Sequence, residues 1–251
     1  MEPNTIDTNG SSKSILKEIL VTFTVVTALL SILFHAGLVI PWLGRNLGGV
    51  AALLFLYAAS RQIRHAESDL PDYGISARPF VPALGWGVGS IVVILGLFVA
   101  LYLAYYSYVC AHGGLLGALG RNCHHFAGVS ASIHLPKKFW LLAASELVVV
   151  AIPEEIFFRG YVQTRLNQIF TARIRVGNIE LGWAVVIQAA LFGLGHFLVD
   201  FNPLRLAVAI PALAFGVLRE ASGGVGASAL LHASSNLVVG VLDATYFLGP
   251  S

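Results

Sequence analysis

Charge is scarce in this sequence. Asp, Glu, Lys and Arg make up 11% of the 251 residues, against ~25% in an ordinary soluble domain. Hydrophobic residues make up 57% before the 26 glycines are counted, whereas soluble domains hold ~45–50% with glycine included. So few ionic groups cannot cover a globule of this size. That excludes a soluble cytosolic enzyme, a nucleic-acid binder and a disordered chain. Cysteine is scarce too: Cys110 and Cys123 are the only two, too few for a disulfide framework and wrongly spaced for a zinc ribbon. No fixed-period repeat and no Pro-rich or acidic low-complexity stretch is present, and the polar first dozen residues read as a mobile tail. The class that remains is an all-α, polytopic transmembrane helix bundle, with the lipid bilayer as its surroundings and no nucleic acid among its partners.

Seven apolar segments run roughly over 19–40, 44–60, 82–109, 139–160, 181–199, 204–219 and 225–248, each near the ~20 residues that cross a bilayer. They divide the chain into a polar cytoplasmic tail (1–18), N-terminal transmembrane helices and loops (19–138) and a core that carries the motifs (139–248). The first segment follows Lys13 and Lys17 as a signal peptide would. It is too long for an h-region and has no convincing small-residue cleavage site, so it reads as an uncleaved anchor. The tail and the second, fourth and sixth loops hold ten Lys and Arg against five in the alternate loops; discounting Arg159, which is expected to be buried, leaves nine. The positive-inside rule then puts the N-terminus in the cytoplasm and, with seven spans, the C-terminus outside. The short loops suggest a prokaryotic cell membrane.

The informative residues are the polar ones inside apolar segments. Each ion at a helix centre costs ~2.5–3.5 kcal/mol on insertion scales, so such residues mark function by default. The densest group is Pro153-Glu154-Glu155-Ile156-Phe157-Phe158-Arg159-Gly160. Glu155 and Arg159 are four apart and share a helical face, so they can pair. Glu154 is rotated by ~100° from Glu155 and stays free to face a cavity. A second site is Phe192-Gly193-Leu194-Gly195-His196, and a third is His232-Ala233-Ser234-Ser235-Asn236, where His232 and Asn236 project from one face. Each site alone has a structural explanation: a solvated interfacial helix end, a packing histidine, or hydrogen-bond glue between helices. Together they put carboxylates, an arginine, two histidines and an asparagine on three spans, and a shared polar cavity is the economical reading. The chemistry suits hydrolysis: a carboxylate as general base on water, an imidazole to position or protonate, and His with Asn as donors to an oxyanion. No serine or cysteine sits in a nucleophile elbow, and no His-Glu-x-x-His helix occurs.

In this order and spacing, Glu154-Glu155-x-x-x-Arg159, Phe192-x-x-x-His196 and His232-x-x-x-Asn236 resemble the CAAX prenyl protease and bacteriocin-processing family of intramembrane proteases, whose eukaryotic relatives include the Ras-converting enzyme. The flanking Phe157-Phe158-Arg159-Gly160-Tyr161 and Leu230-Leu231-His232-Ala233 look similar as well, and the resemblance covers about residues 139–240. It implies an endopeptidase acting on membrane-anchored or membrane-associated proteins. By that similarity Glu154 activates the attacking water, His196 helps hold it, His232 and Asn236 stabilise the oxyanion, and Glu155 and Arg159 support the site. The expected cofactor is none, since Asn236 beside His232 suits an oxyanion hole better than a coordination shell. A zinc-dependent version with Glu154, His196 and His232 as ligands is the alternative. A catalytically silent transporter or partner-binding protein is a further one, although the sequence lacks the paired broken helices that transport favours. Prenylated CAAX proteins, bacteriocin leader peptides and C-terminal sorting tails all remain open as substrates.

Other polar residues carry plainer expectations. The loop from Cys110 to Lys138 holds His112, Cys123, His124, His125 and His134, too irregular for a metal site, though a Cys110–Cys123 disulfide is feasible if that loop faces outside. Glu146 and Asp243 are candidates to extend the polar cavity. Gln188 is placed to hydrogen-bond between helices, and His35 reads as structural. Arg165, Arg173 and Arg175 are expected to meet anionic headgroups.

Overall fold

The computed structural model describes residues 8–76, 80–112, 126 and 132–247. Helix α1 is Thr8–Val39 and α2 is Pro41–His65, so the α1 rod begins inside the segment read as a tail. The reversal between them takes only Ile40, because Pro41 needs no amide partner at a helix start and Gly37 meets Gly44 backbone to backbone. A Cβ on Gly44 would sit 2.6 Å from the Gly37 oxygen. A 3-10 turn, Leu70–Tyr73, leads to α3 (residues 80–112), α-helical at Phe80–Ser90 and Gly96–His112 with a π stretch at Ile91–Leu95. Helix α4 (residues 139–169) joins Phe139–Ser145, Ile152–Glu155 and Thr164–Ile169 through π stretches at Glu146–Ala151 and Ile156–Gln163. Next come the antiparallel hairpin β1 (Arg173–Val176) and β2 (Ile179–Gly182), then α5 (Trp183–Asp200). A 3-10 turn at Pro203–Val208, α6 (Ala209–Ser222) and α7 (Gly226–Tyr246) complete the bundle.

Among the described residues five helices are individually long and apolar enough to cross a membrane: Ser11–Val39, Pro41–His65, Leu84–His112, Trp183–Asp200 and Gly226–Tyr246. Their outward faces are apolar, with Leu53 and Val92 each 70% exposed, which water disfavours and lipid does not. Exposed Trp42, Trp140 and Trp183 lie at the first turns of α2, α4 and α5, where indole rings mark the membrane–water interface. The chain is an integral membrane protein.

Three details differ from the segments read in the sequence. The fourth helix does not stop near residue 160 but continues to Ile169, because Gln163 and Leu166, polar or not, are both fully buried against neighbours. The sixth segment opens as the 3-10 turn, and its helix has 14 residues, ~21 Å at 1.5 Å per residue, short of the ~30 Å hydrocarbon core. The fourth loop is a hairpin, with Arg173 opposite Gly182 and Val176 opposite Ile179 around a positive-φ Gly177.

Successive helices alternate in direction. At the N-terminal end of the bundle Glu18 of α1 pairs with Arg165 of α4 at 2.6 Å and accepts from Tyr161 at 3.0 Å. Arg165 is therefore tied to protein rather than reserved for headgroups, and Arg173 likewise donates to the Asn167 carbonyl. At the far end, Ser31 of α1 donates to the Val199 carbonyl of α5 and Tyr102 of α3 donates to Asp243 of α7. Between the ends, Phe23, Phe55, Phe157, Phe158, Tyr161 and Phe192 form the centre of the main apolar cluster.

Candidate active site

Glu154 and Glu155 lie in the short α-helical piece of α4 between its two π stretches. Pro153 lacks the N–H that a regular helix would aim at the carbonyl four residues back, and π turns re-register the ladder where such a donor is missing. The two carboxylates leave the rod in different directions. Glu155 is fully buried and pairs with Arg159 at 2.8 Å, as their spacing predicts. The guanidinium is also fully buried: Nη2 donates to the Ala212 carbonyl at 3.2 Å, and its carbon stands 4.6 Å from the Phe192 ring centre and 5.1 Å from that of Phe215. Glu155 Oε2 and Arg159 Nε have no hydrogen-bond partner. What compensates their burial is the ion pair itself and the ring faces, which attract a desolvated cation by roughly 2 kcal/mol or more.

His232 of α7 approaches the same carboxylate, with Nδ1 2.9 Å from Glu155 Oε1. Its ring stacks on Phe215 at 4.9 Å and 15° and meets Phe192 edge-on at 5.8 Å. An ionised Glu155 can only accept, so His232 Nδ1 carries the proton and Nε2 is the nitrogen turned elsewhere. Nε2 lies 3.9 Å from Glu154 Oε2, an oxygen that is buried and has no hydrogen-bond partner.

Glu154 and His196 both line one cavity of about 180 Å³. Its walls are Leu30, Phe34, Leu47, Ala51 and Phe55 of α1 and α2 with Phe157 and Phe158 of α4, and Asp200 and Arg205 complete the lining. His196 Nδ1 lies 2.9 Å from the Phe192 carbonyl, which can only accept, so Nδ1 carries the proton and the neutral ring offers Nε2 as an acceptor. Gly195 gives α1 room, since a Cβ there would stand 3.3 Å from the Phe23 ring.

Asn236 stands one turn after His232 on α7 and, like it, meets a carboxylate of α4. Its side-chain amide donates to Glu146 Oε2 at 2.9 Å, so Glu146, on a π turn of α4, holds Asn236 instead of extending the cavity. Straight-helix spacing could not foresee this, because π turns change which α4 residues face α7. Asp243 is taken by Tyr102. Gln188 bridges helices as expected, donating to Ala212 O at 3.1 Å, and His35 bonds within its own helix to Ser31 O. Among the described residues no group of three or more His, Cys, Asp or Glu side chains is arranged to hold a metal ion. Cys110 is disulfide-bonded. Cys123, His124 and His125 lie outside the described residues, while the His134 backbone is held by Thr245.

Sequence reasoning missed Phe215, Asp200 and Arg205. Phe215 sits in an apolar run with no polar marker. The other two stand at the end of α5 and in the following turn, as loop charges do in any membrane protein.

No curated protein and no solved structure matches this chain. Residues 136–238 match the model of the Rce1-like family, described as type II CAAX prenyl endopeptidase. That stretch opens three residues before α4 and ends two after Asn236, so it encloses all three motifs. Over residues 136–238, less than half of its length, this integral membrane protein is thus similar to the CAAX-type proteases.

Proposed function

We propose that the protein is an intramembrane endopeptidase that hydrolyses peptide bonds of membrane-associated proteins with water activated by Glu154. One observation carries the reading: of two adjacent carboxylates, Glu155 is neutralised by Arg159, while Glu154 keeps a buried, unpartnered oxygen and lines a cavity with His196. Two environments for two neighbouring acids give two roles. A water between Glu154 and His196 Nε2 donates one hydrogen to each acceptor, which leaves its oxygen lone pair directed at a substrate carbonyl. Attack forms the C–O bond as a water proton passes to Glu154. Collapse of the tetrahedral intermediate breaks the C–N bond, and Glu154 returns that proton to the leaving amine.

His232 in its doubly protonated form presents Nε2–H to the developing oxyanion while Glu155 retains Nδ1–H. Asn236 has a second amide hydrogen besides the one given to Glu146. The proposed reaction uses no metal: Glu154 supplies the base and His232 the donor to the oxyanion. Orientation with the N-terminus in the cytoplasm belongs to the same proposal, on the count of basic residues.

Glu154→Gln tests the reading. It keeps the size of the side chain and loses the base, so cleavage of a membrane-anchored peptide panel should fall by a factor of ~10²–10⁴ with insertion and folding unchanged. Near-normal turnover would sink the assignment.

A further inference from the structure

The hairpin between α4 and α5 has two unlike faces. Its register puts Ile174 opposite Leu181 and Val176 opposite Ile179, and residues directly opposite in an antiparallel pair point the same way. One face is therefore wholly apolar, whereas Arg173, Arg175 and Glu180 occupy the other. The protein leaves much of the apolar face open: Ile174 is 68% exposed and Val176 56%. Beside it runs a groove of about 370 Å³, walled by Ile174 and Leu181 of the hairpin and by Trp183, Val185 and Val186 of α5. A two-stranded hairpin is marginally stable in water at best, and an uncovered apolar face makes it less so.

Helix α5 sets the level of the hairpin against the bilayer. Its 18 residues rise ~27 Å, close to the ~30 Å thickness of the hydrocarbon, so its first residue, the exposed Trp183, stands at the hydrocarbon boundary. Strand β2 ends on Gly182, the residue before. The groove reaches Val186, one turn into α5, so the apolar face of the hairpin turns back toward the flank of α5 that meets lipid. The outer edges of the two strands carry backbone groups that hydrocarbon cannot satisfy, which keeps the hairpin shallow. An amphipathic element at that level lays its apolar side into the boundary between headgroups and acyl chains. We infer that the β1–β2 hairpin is a membrane-surface element, seated on the phospholipid bilayer by Ile174, Val176, Ile179 and Leu181, with Arg175 and Glu180 turned toward headgroups and water. Phospholipid is its occupant because the apolar face continues the lipid-facing surface that Trp183 and Val186 begin on α5. The hairpin joins the helices that carry Glu154 and His196, so its seat also fixes how deep their connected ends lie. The seat is independent of the protease reading and of which leaflet it occupies.

Single cysteines at Val176 (apolar face) and Glu180 (charged face), each carrying the same fluorophore, test the seat in the full-length protein reconstituted into phosphatidylcholine–phosphatidylglycerol vesicles. The parent chain, treated alike, gives the background from Cys110 and Cys123. Quenching by nitroxide-bearing lipids is compared with quenching by iodide present on both sides of the vesicle. The ratio of nitroxide to iodide quenching should be several-fold higher at Val176→Cys than at Glu180→Cys. A nitroxide at the headgroup end of the acyl chain should quench Val176→Cys more than one at the chain terminus. Ile174→Cys repeats the reading on the same face, so a Val176→Cys variant that fails to fold leaves the proposal testable. Equal ratios on the two faces overturn the seat. Stronger quenching from the chain terminus overturns the shallow placement. Shielding of the apolar face from both quenchers means that protein, a second copy or another polypeptide, covers it, and overturns lipid as the occupant.

Discussion

His232 is tied to Glu155: its Nδ1 lies 2.9 Å from Glu155 Oε1, the oxygen that also accepts from Arg159 Nη1 at 2.8 Å. One buried oxygen thus joins α7 to α4 and orients an imidazole whose other nitrogen faces Glu154. On the proposed reading the second glutamate of the pair supports and positions, and its loss should differ in kind from the loss of the first.

Glu155→Gln leaves the Arg159 cation buried without a counter-charge, and breaking one partner of such a pair costs ~3–5 kcal/mol. The expected outcome is a marked fall in thermal unfolding temperature in detergent. Adding Arg159→Met should recover much of that stability without recovering cleavage, since the amide at position 155 can accept from His232 Nδ1 but no longer sets a negative charge against the ring. Unchanged stability in the single variant would contradict the buried pair.

His232→Asn removes the nitrogen that faces Glu154. If the ring serves the oxyanion, kcat should fall by a factor of ~10²–10³ with KM little changed. A rise in KM at constant kcat would assign the ring to substrate binding instead.

Gly216 lies where Gln188 and Gln163 converge on α6, and a Cβ there would stand 2.5 Å from Gln188 Nε2 and 3.1 Å from Gln163 Oε1. Gly216→Ala should destabilise by ~1–3 kcal/mol through overpacking, measured as a lower unfolding temperature. Gly89→Ala, with open space around it, is the control that should stay near wild type.

Activity should persist in purified protein that holds less than stoichiometric metal, as elemental analysis and turnover on the same sample will establish. About one zinc per chain, lost with activity on chelation and restored on adding zinc, would favour Glu154, His196 and His232 as ligands.

Much of this molecule is legible along the chain. Composition alone places it in a membrane, because 11% charge cannot solvate the surface of a globule. The Glu155–Arg159 pair and the interhelical Gln188 were also readable, since local helical geometry puts residues four apart on one face and a polar group in an apolar helix must find a partner.

Other features needed the packed bundle. That His232 bonds Glu155, that Asn236 turns to Glu146 and that Phe215 stacks under the imidazole depend on how α4, α6 and α7 meet, and the π turns of α4 alter the facing residues in a way that a uniform 3.6-residue period does not encode. The place of Asp200 and Arg205 in the cavity lining is likewise tertiary. The last residue of α5 and a residue of the following turn come to line one cavity only because α1, α2, α4 and α5 pack around it. Local sequence specifies which way a side chain leaves its own helix, whereas the space between helices is set by the contacts of all of them at once.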